Sequence, residues 1–220
     1  MDYDFNFAAV WRDFDLLMSG LGLGLILAVI SIAIGCLIGL FAAFGMLSEN
    51  RAVRWASTAY VSAIRNTPIL VLILFTFFAL PQLGIRFGKI ESFIVTLSVY
   101  SGAYLTEVFR SGLVSLPSGL REAGLSIGLT ELRTRFHLII PVMFRSVLPS
   151  LSNNFISLFK DTSLAAAIAV PELTFYARKI NVETFRVIET WLVASLMYVT
   201  ACYVIAAVLR RVESRLAIPH

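Results

Sequence analysis

Charged residues are scarce in this sequence. Asp, Glu, Lys and Arg make up 15% of its 220 residues, whereas a typical soluble domain is about one quarter charged. Hydrophobic residues make up 58%, and the mean hydropathy is +0.84. This composition excludes an ordinary soluble domain and predicts a polytopic membrane protein, in which the cost of burying charge governs the layout. The length suggests a single domain.

Residues that usually carry catalysis or bind metal are also few. His137 and His220 are the only histidines, and neither has a partner at the spacing of a metal site or a catalytic triad. Cys36 and Cys202 lie far apart in apolar runs, which argues against a disulfide or a metal pair. The phosphate-binding pattern G-x-x-x-x-G-K-[ST] is absent. The sequence therefore predicts neither an enzyme nor a chain that hydrolyses ATP by itself.

The net charge of +4 does not require a nucleic-acid partner. Arginines gathered at the cytoplasmic ends of membrane helices give the same total. The N-terminus is acidic, whereas a secretory signal has a basic start and a shorter apolar core. We therefore expect the first membrane span to be retained.

Hydropathy predicts five membrane-spanning helices, a short outer tail at 1–15 and a cytoplasmic tail at 212–220. Two spans contain an interruption, the second at Arg65–Pro68 and the fourth at Pro149. A polar loop is expected at 171–185. The predicted spans are residues 16–47, 56–83, 92–116, 142–170 and 187–209.

Arginine positions predict the orientation of these spans. The first 15 residues hold four acidic residues and one arginine, whereas the connection after the third span holds four arginines and the C-terminal tail three. Because cytoplasmic loops are enriched in Lys and Arg, five spans place the N-terminus outside and the C-terminus in the cytoplasm.

The first predicted span is rich in glycine. Gly20 and Gly24, and likewise Gly35 and Gly39, form G-x-x-x-G pairs, which let membrane helices approach closely. A nucleotide-binding loop is the alternative for these glycines, but no strand precedes them. Close helix packing is therefore predicted.

Residues 117–141 form the one long polar stretch with internal order. Pro117 and Ser118 suit a helix start, and Gly128 suits its end. Leu120, Ala123, Gly124 and Ile127 fall on one face of that helix, and Thr130–Glu131 suits the start of a second. The small residues Ala123, Gly124 and Gly128 indicate that another protein packs there. A passive helix at the membrane interface is the alternative.

Several ionisable residues fall near or inside the apolar spans. Such residues usually face a bundle interior, a watery path or one another. A structural network of ion pairs is one interpretation, with Glu107 and Arg110 at i, i+3 spacing. A polar passage for a zwitterion is the other, because hydroxyl and amide side chains cluster nearby. The ionisable residues are Arg65, Glu107, Arg110, Lys160 and Asp161, and the polar neighbours include Asn66, Thr67, Tyr104, Thr162 and Ser163.

Four ordered motifs resemble a known family, the permease subunits of ABC importers. Glu122-Ala123-Gly124, then Gly128, then Leu138 to Pro141 resembles its EAA signature: E-A-A, three residues, G, nine residues, I-x-L-P. Gly124 and the Leu138/Ile140 pair depart from that pattern. Three further segments resemble motifs of the polar amino-acid subgroup, which includes histidine, glutamate, glutamine, arginine, cystine and opine permeases: residues 64–68 (I-R-N-T-P), 103–112 (A-Y-L-T-E-V-F-R-S-G) and 160–164 (K-D-T-S-L).

The resemblance implies an all-helical permease with the fold of the methionine importer, in the inner membrane of a bacterium. It implies a second permease subunit, identical or not, two cytoplasmic ATPase subunits that bind ATP and Mg, and a periplasmic solute-binding protein. Residues 117–141 would contain the coupling helix that docks on the ATPase. The coupling residues would be Leu120, Glu122, Ala123, Gly124, Ile127 and Gly128.

The resemblance also implies which residues meet the substrate. Asp161 would meet an α-ammonium or a basic side chain, and Arg65 or Arg110 a carboxylate. The remaining substrate-binding candidates are Asn66, Thr67, Tyr104, Glu107, Lys160, Thr162 and Ser163. The chain itself would hold no cofactor, and its partners would include membrane lipid.

Two other functions compete with an ATP-driven importer of polar amino acids. A secondary transporter or channel would work alone and would need no docking helix. A membrane scaffold would have no cargo.

Overall fold

The computed structural model describes residues 4–216, and within them the chain is all-helical with no strand. The prediction of an all-α fold is confirmed. The α-helices are α1 (Ala8–Arg12), α2 (Phe14–Met46), α3 (Arg51–Arg65), α4 (Ile69–Leu74), α5 (Lys89–Val114), α6 (Ser118–Ser126), α7 (Glu131–Thr134), α8 (Ile140–Asp161), α9 (Leu173–Thr184) and α10 (Val187–Leu216). Short π-helical segments occupy Phe75–Ala79 and Arg135–Ile139, and 3₁₀ segments occupy Leu80–Leu83 and Thr162–Ile168.

Three helices, α2, α5 and α10, are long and apolar enough to cross a membrane. A fourth span exists if α3 and the helical run 69–83 count together, although they meet at a bend of 101°. Five spans and the placement of the termini stay predictions. The bend lies at Arg65–Pro68, because the proline ring cannot continue a helix and the residue before it avoids the helical region.

The fourth predicted span is interrupted at a different place from the one expected. Helix α8 runs unbroken through Pro149 and ends at Asp161, where the backbone tightens into the 3₁₀ segment. Ala169 ends that segment with a left-handed backbone, φ +56°. The expectation of a break at Pro149 was wrong, and the break lies next to Lys160 and Asp161.

The prediction of a polar loop at 171–185 was also wrong, because residues 173–184 form α9. Its buried residues Leu173, Ala177 and Ile180 follow i, i+4, i+7 spacing, the pattern of one helix face. Glu172 caps its N-terminus, accepting hydrogen bonds from the backbone N–H groups of Thr174 (2.9 Å) and Phe175 (2.8 Å). Burial raises the pKa of the Glu172 carboxyl, while these hydrogen bonds lower it.

Glycines set the packing of α2 against its neighbours, as the G-x-x-x-G pairs predict. A Cβ on Gly35 would overlap the Ser101 side chain of α5. A Cβ on Gly39 would lie 3.0 Å from the backbone oxygen of Gly102. A Cβ on Gly20 would lie 2.7 Å from the carbonyl carbon of Glu172, which leads into α9. Helix α2 therefore contacts α5 and α9 at nearly backbone-to-backbone distance.

We expect Gly35→Leu to destabilise the protein, because the new side chain has no space between α2 and α5. Overpacking of this kind costs roughly 1–3 kcal/mol. The change is measured as the apparent melting temperature in detergent with a thiol-reactive dye, since the free thiols of Cys36 and Cys202 are partly buried. Gly22→Leu is the control, because nothing lies within 4 Å of a Cβ at Gly22. Equal melting temperatures for the two variants would contradict the packing described above.

Candidate functional site

One carboxylate lies between two guanidinium groups on α3 and α5. Glu107 Oε2 accepts hydrogen bonds from Arg110 Nη2 (2.7 Å) and Arg110 Nε (2.9 Å). Glu107 Oε1 lies 3.9 Å from Arg65 Nη1. The predicted pairing of Glu107 with Arg110 is confirmed. The two contacts differ in strength, because only the Arg110 pair has hydrogen-bond geometry.

The end of α3 positions Arg65. Asn66 follows the last helical residue, and its Nδ2 donates to the Ser62 carbonyl at 2.8 Å. Thr67 Oγ1 donates to the Ala63 carbonyl at 2.8 Å. The Thr67 hydroxyl replaces the backbone donor that the Ala63 carbonyl loses at this helix end, and the Asn66 amide adds a second donor to the Ser62 carbonyl, which also accepts from the Asn66 N–H at 3.2 Å. Asn66 and Thr67 therefore stabilise the helix end that presents Arg65.

Two tyrosines of α5 complete the polar cluster. The Arg65 guanidinium carbon lies 5.1 Å from the ring centroid of Tyr104, within cation–π range. Tyr100 Oη donates to Tyr104 Oη at 3.2 Å, and the two ring centroids are 4.8 Å apart. Sequence reasoning missed Tyr100, although its position four residues before Tyr104 places both rings on one helix face.

A polar cavity of about 330 Å³ opens beside this cluster. Its size is within the range of small-molecule sites, roughly 300–1,000 Å³. The site therefore offers cationic, anionic and aromatic groups to one small ligand. The lining residues are Met46, Thr58, Val61, Ser62, Arg65, Asn66, Tyr104 and Glu107.

The segment 160–164 is only partly associated with this cluster. Asp161 is half-buried and lies within Coulombic range of Tyr100. Thr162 is fully buried, donates from Oγ1 to the Phe159 carbonyl at 2.7 Å and packs beside Gly24 of α2. Lys160 is exposed and Ser163 is half-buried. Of these residues, Asp161 is the one within Coulombic range of the cluster, through Tyr100.

The polar stretch 117–141 begins with the two predicted helices. Helix α6 starts at Ser118, and the chain turns at Gly128, whose φ is +85°. The Leu129 N–H donates back to the Gly124 carbonyl at 3.1 Å, a common way to end a helix. Thr130 then caps α7, accepting from the Arg133 N–H at 3.4 Å.

Glycine occupies positions 124 and 128 of this stretch for two different physical reasons. Gly124 is buried against its own chain, because a Cβ there would lie 2.6 Å from Thr134 Cγ2 and 2.9 Å from Leu138 Cδ1. At position 128 the left-handed backbone favours glycine, which has no Cβ. The expectation that all three small residues meet another protein was therefore wrong for Gly124, whereas Gly128 is exposed and its contact with a partner stays a prediction. Ala123 remains exposed.

The exposed part of α6 combines apolar and charged groups. Ile127 is 75% exposed, Glu122 is exposed and Leu120 is half-buried. Arg121 forms an ion pair with Glu131 of α7, which fastens the two short helices together. Within residues 4–216, no group of three or more His, Cys, Asp or Glu side chains could hold a metal ion.

A family model matches residues 35–218 of the chain. It describes the binding-protein-dependent transport system inner membrane component. The match covers the helices that carry both the polar cluster and α6.

Proteins of similar sequence include three transport permeases. The glutamine transport system permease protein GlnP of Escherichia coli is 35% identical over 97% of this chain and 99% of its own length. The L-cystine transport system permease protein TcyB of Bacillus subtilis is 37% identical over 86% of this chain and 82% of its own length. The octopine transport system permease protein OccM of Rhizobium meliloti is 32% identical over 93% and 87%, respectively.

Solved structures of similar fold include transporter subunits. A chain from the crystal structure of an amino acid ABC transporter with histidines matches with a TM-score of 0.87 and 29% identity, covering 97% of this chain and all of that one. A chain of the MetNI methionine ABC transporter in an inward-facing conformation matches with a TM-score of 0.81. At 18% identity over 94% of this chain and 99% of that one, the second match shows the fold alone.

We expect Glu107→Gln to lower the stability of the protein, because Arg65 and Arg110 then lose their shared carboxylate. Hydrogen bonds to charged groups contribute about 1.5–3 kcal/mol. The measurement is the melting temperature by the same thiol assay. Glu183→Gln is the control, since Glu183 is 56% exposed in its ion pair with Lys179 and exposed pairs contribute little. A Glu107→Gln melting temperature equal to that of the control would show that the Glu107 carboxylate contributes no more to stability than an exposed ion pair does.

Proposed function

Because this chain belongs to the family of binding-protein-dependent transport system inner membrane components, we propose that it is the permease subunit of an ATP-driven importer. It moves a polar amino acid from the periplasm to the cytoplasm of a bacterium, across the inner membrane. The observation that carries this proposal is the match of nearly the whole chain to permeases whose names specify glutamine and cystine transport. The chain spans 99% of the length of GlnP and 82% of that of TcyB.

The polar cluster supports an amino-acid substrate. An amino acid carries one ammonium and one carboxylate, and the cavity offers a matching carboxylate and guanidinium in Glu107 and Arg65. Arg65 is the more available cation, because its side chain is 42% exposed and its contact with Glu107 is 3.9 Å. Arg110 is held by two shorter hydrogen bonds. In this proposal Arg65 binds the substrate carboxylate while Arg110 keeps Glu107 in place.

Fewer residues of the segment 160–164 meet the substrate in this proposal than the family resemblance implies. Asp161 is within Coulombic range of Tyr100 and is the second acid that can meet an ammonium group. Thr162 is buried against α2 and supports the helix end instead. Lys160 and Ser163 are peripheral in this scheme, and Asn66 and Thr67 act by stabilising the end of α3.

Helix α6 serves as the coupling helix, which transmits the conformational change of the ATPase to the permease. Its exposed Ala123 and Ile127 would lie in a groove of the ATPase, while Gly124 packs on Thr134 and Leu138. Motion of α6 therefore reaches α7 and the π-helical segment Arg135–Ile139 by direct contact, and through that segment it reaches α8. ATP and Mg bind to the partner ATPase dimer, and closure of that dimer shifts the permease between outward-open and inward-open states.

The remaining partners follow from the same scheme. A second permease subunit completes the passage, and a periplasmic solute-binding protein delivers the amino acid. The N-terminus lies in the periplasm and the C-terminus in the cytoplasm, with five spans in each permease subunit.

We expect Ala123→Arg to reduce co-purification of the ATPase at least tenfold, because a long charged side chain replaces a methyl group at the docking face. The measurement is the ratio of ATPase to permease after affinity purification of the co-expressed complex. The melting temperature of the permease should not change, since Ala123 is exposed.

Ala52→Arg is the matched control for this experiment. It introduces the same side chain at an exposed position of α3, on the same proposed side of the membrane and outside α6. Its ATPase ratio should equal that of the wild type. Undiminished ATPase in the Ala123→Arg sample would remove the coupling role from α6 and favour a transporter that works alone.

A further inference from the structure

A groove lies between α8 and α10 at the end of the bundle that also holds α6. Its cavity measures about 420 Å³. Arg145, Leu148 and Pro149 line it from α8, and Arg210, Glu213 and Ser214 line it from α10. Glu213 is the one acid among the lining residues, so the mouth of the groove has a net charge of +1. The proposed function uses none of these residues.

Both arginines are available to a ligand. Each is exposed, and neither guanidinium forms a hydrogen bond or ion pair with another residue of the described range 4–216. Arg145 lies in the second turn of α8, and Arg210 directly follows the predicted fifth span. Two cations from different helices therefore meet at the expected boundary between headgroups and hydrocarbon.

An apolar cavity adjoins the groove. A second space of about 160 Å³ shares Leu148 and Glu213 with the first and reaches between α2, α5, α8 and α10. Ile32, Leu105, Leu151 and Phe155 line it. Because residue numbers along α8 increase away from Arg145, Leu151 and Phe155 lie deeper than the arginines. The two cavities together have a cationic mouth and an apolar interior.

We propose that this groove binds an anionic phospholipid, with the phosphate between Arg145 and Arg210 and an acyl chain directed toward Leu151. Basic pockets between membrane helices on the cytoplasmic side are suited to anionic headgroups. The net positive mouth favours a headgroup with net charge −1 over a zwitterionic one, because a zwitterion brings no net charge to it. A bare phosphate ion would leave the apolar cavity unused.

Native mass spectrometry of the full-length protein tests this site. The detergent-purified chain is titrated with phosphatidylglycerol, phosphatidylethanolamine or glycerol 3-phosphate. Phosphatidylglycerol should bind at least five-fold more tightly than phosphatidylethanolamine, and glycerol 3-phosphate should not bind measurably. The double variant Arg145→Gln/Arg210→Gln should lose about tenfold or more in affinity for phosphatidylglycerol, since each surface cation contributes about 1 kcal/mol.

The matched control is Arg51→Gln/Arg215→Gln. It removes two exposed arginines from the same proposed side of the membrane but outside the groove, and it should bind phosphatidylglycerol as the wild type does. Equal affinity of the groove double variant and the wild type would overturn the site. Equal binding of the two lipids, or binding of glycerol 3-phosphate as tight as that of phosphatidylglycerol, would overturn the assignment of an anionic lipid.

Two further readouts distinguish lipid binding from contact between two copies of the chain and from the proposed transport function. A dimer mass that falls to the monomer mass in the groove double variant would assign the groove to a second copy of the chain and overturn the lipid assignment. The ATPase ratio measured for Ala123→Arg concerns the proposed transport function alone. Failure of lipid binding and failure of coupling are therefore distinguishable.

Discussion

The position of α5 depends on its close contact with α2. Gly35 and Gly39 on α2 leave no space for side chains where they face Ser101 and Gly102, so the two backbones approach directly. In a membrane this contact depends on packing, because lipid is as apolar as the helix surface. The contact fixes the side of α5 on which Tyr104, Glu107 and Arg110 project. The polar cluster therefore depends on glycines that lie outside it.

The same arrangement brings α3 to the cluster. Tyr60 Oη donates to the Val99 carbonyl of α5 at 2.6 Å, and a Cβ on Gly102 would lie 2.8 Å from that hydroxyl. Helix α3 ends five residues after Tyr60, at Arg65, which reaches Glu107. Farther along the chain, Gly124 lets α6 touch Thr134 of α7 and Leu138 of the π-helical segment that leads into α8. Glycine contacts thus position both the cluster and α6.

Sequence patterns predicted the features that depend on local spacing. The G-x-x-x-G pairs predicted close packing, the i, i+3 spacing predicted the Glu107–Arg110 pair, and Gly128 and Thr130 predicted the division between α6 and α7. Features that depend on tertiary contact were missed. Helix α9 was mistaken for a loop because its surface is polar and its apolar face is narrow. Tyr100 was overlooked because an aromatic residue in an apolar span gives no separate signal, and Gly124 was assigned to a partner although Thr134 and Leu138 cover it.

The central claim is that Arg65 binds substrate within an ATP-driven permease. Its most direct test is the initial rate of uptake of a labelled amino acid, the one that the cognate binding protein binds most tightly, into proteoliposomes that hold the assembled complex, with the binding protein outside and ATP inside. Wild type and Arg54→Gln, which changes an exposed arginine of the same helix, should take up the labelled amino acid only when ATP is present. Arg65→Gln should reduce that rate at least tenfold with the ATPase still bound. Uptake without ATP, or an Arg65→Gln rate equal to that of the wild type, would contradict the claim.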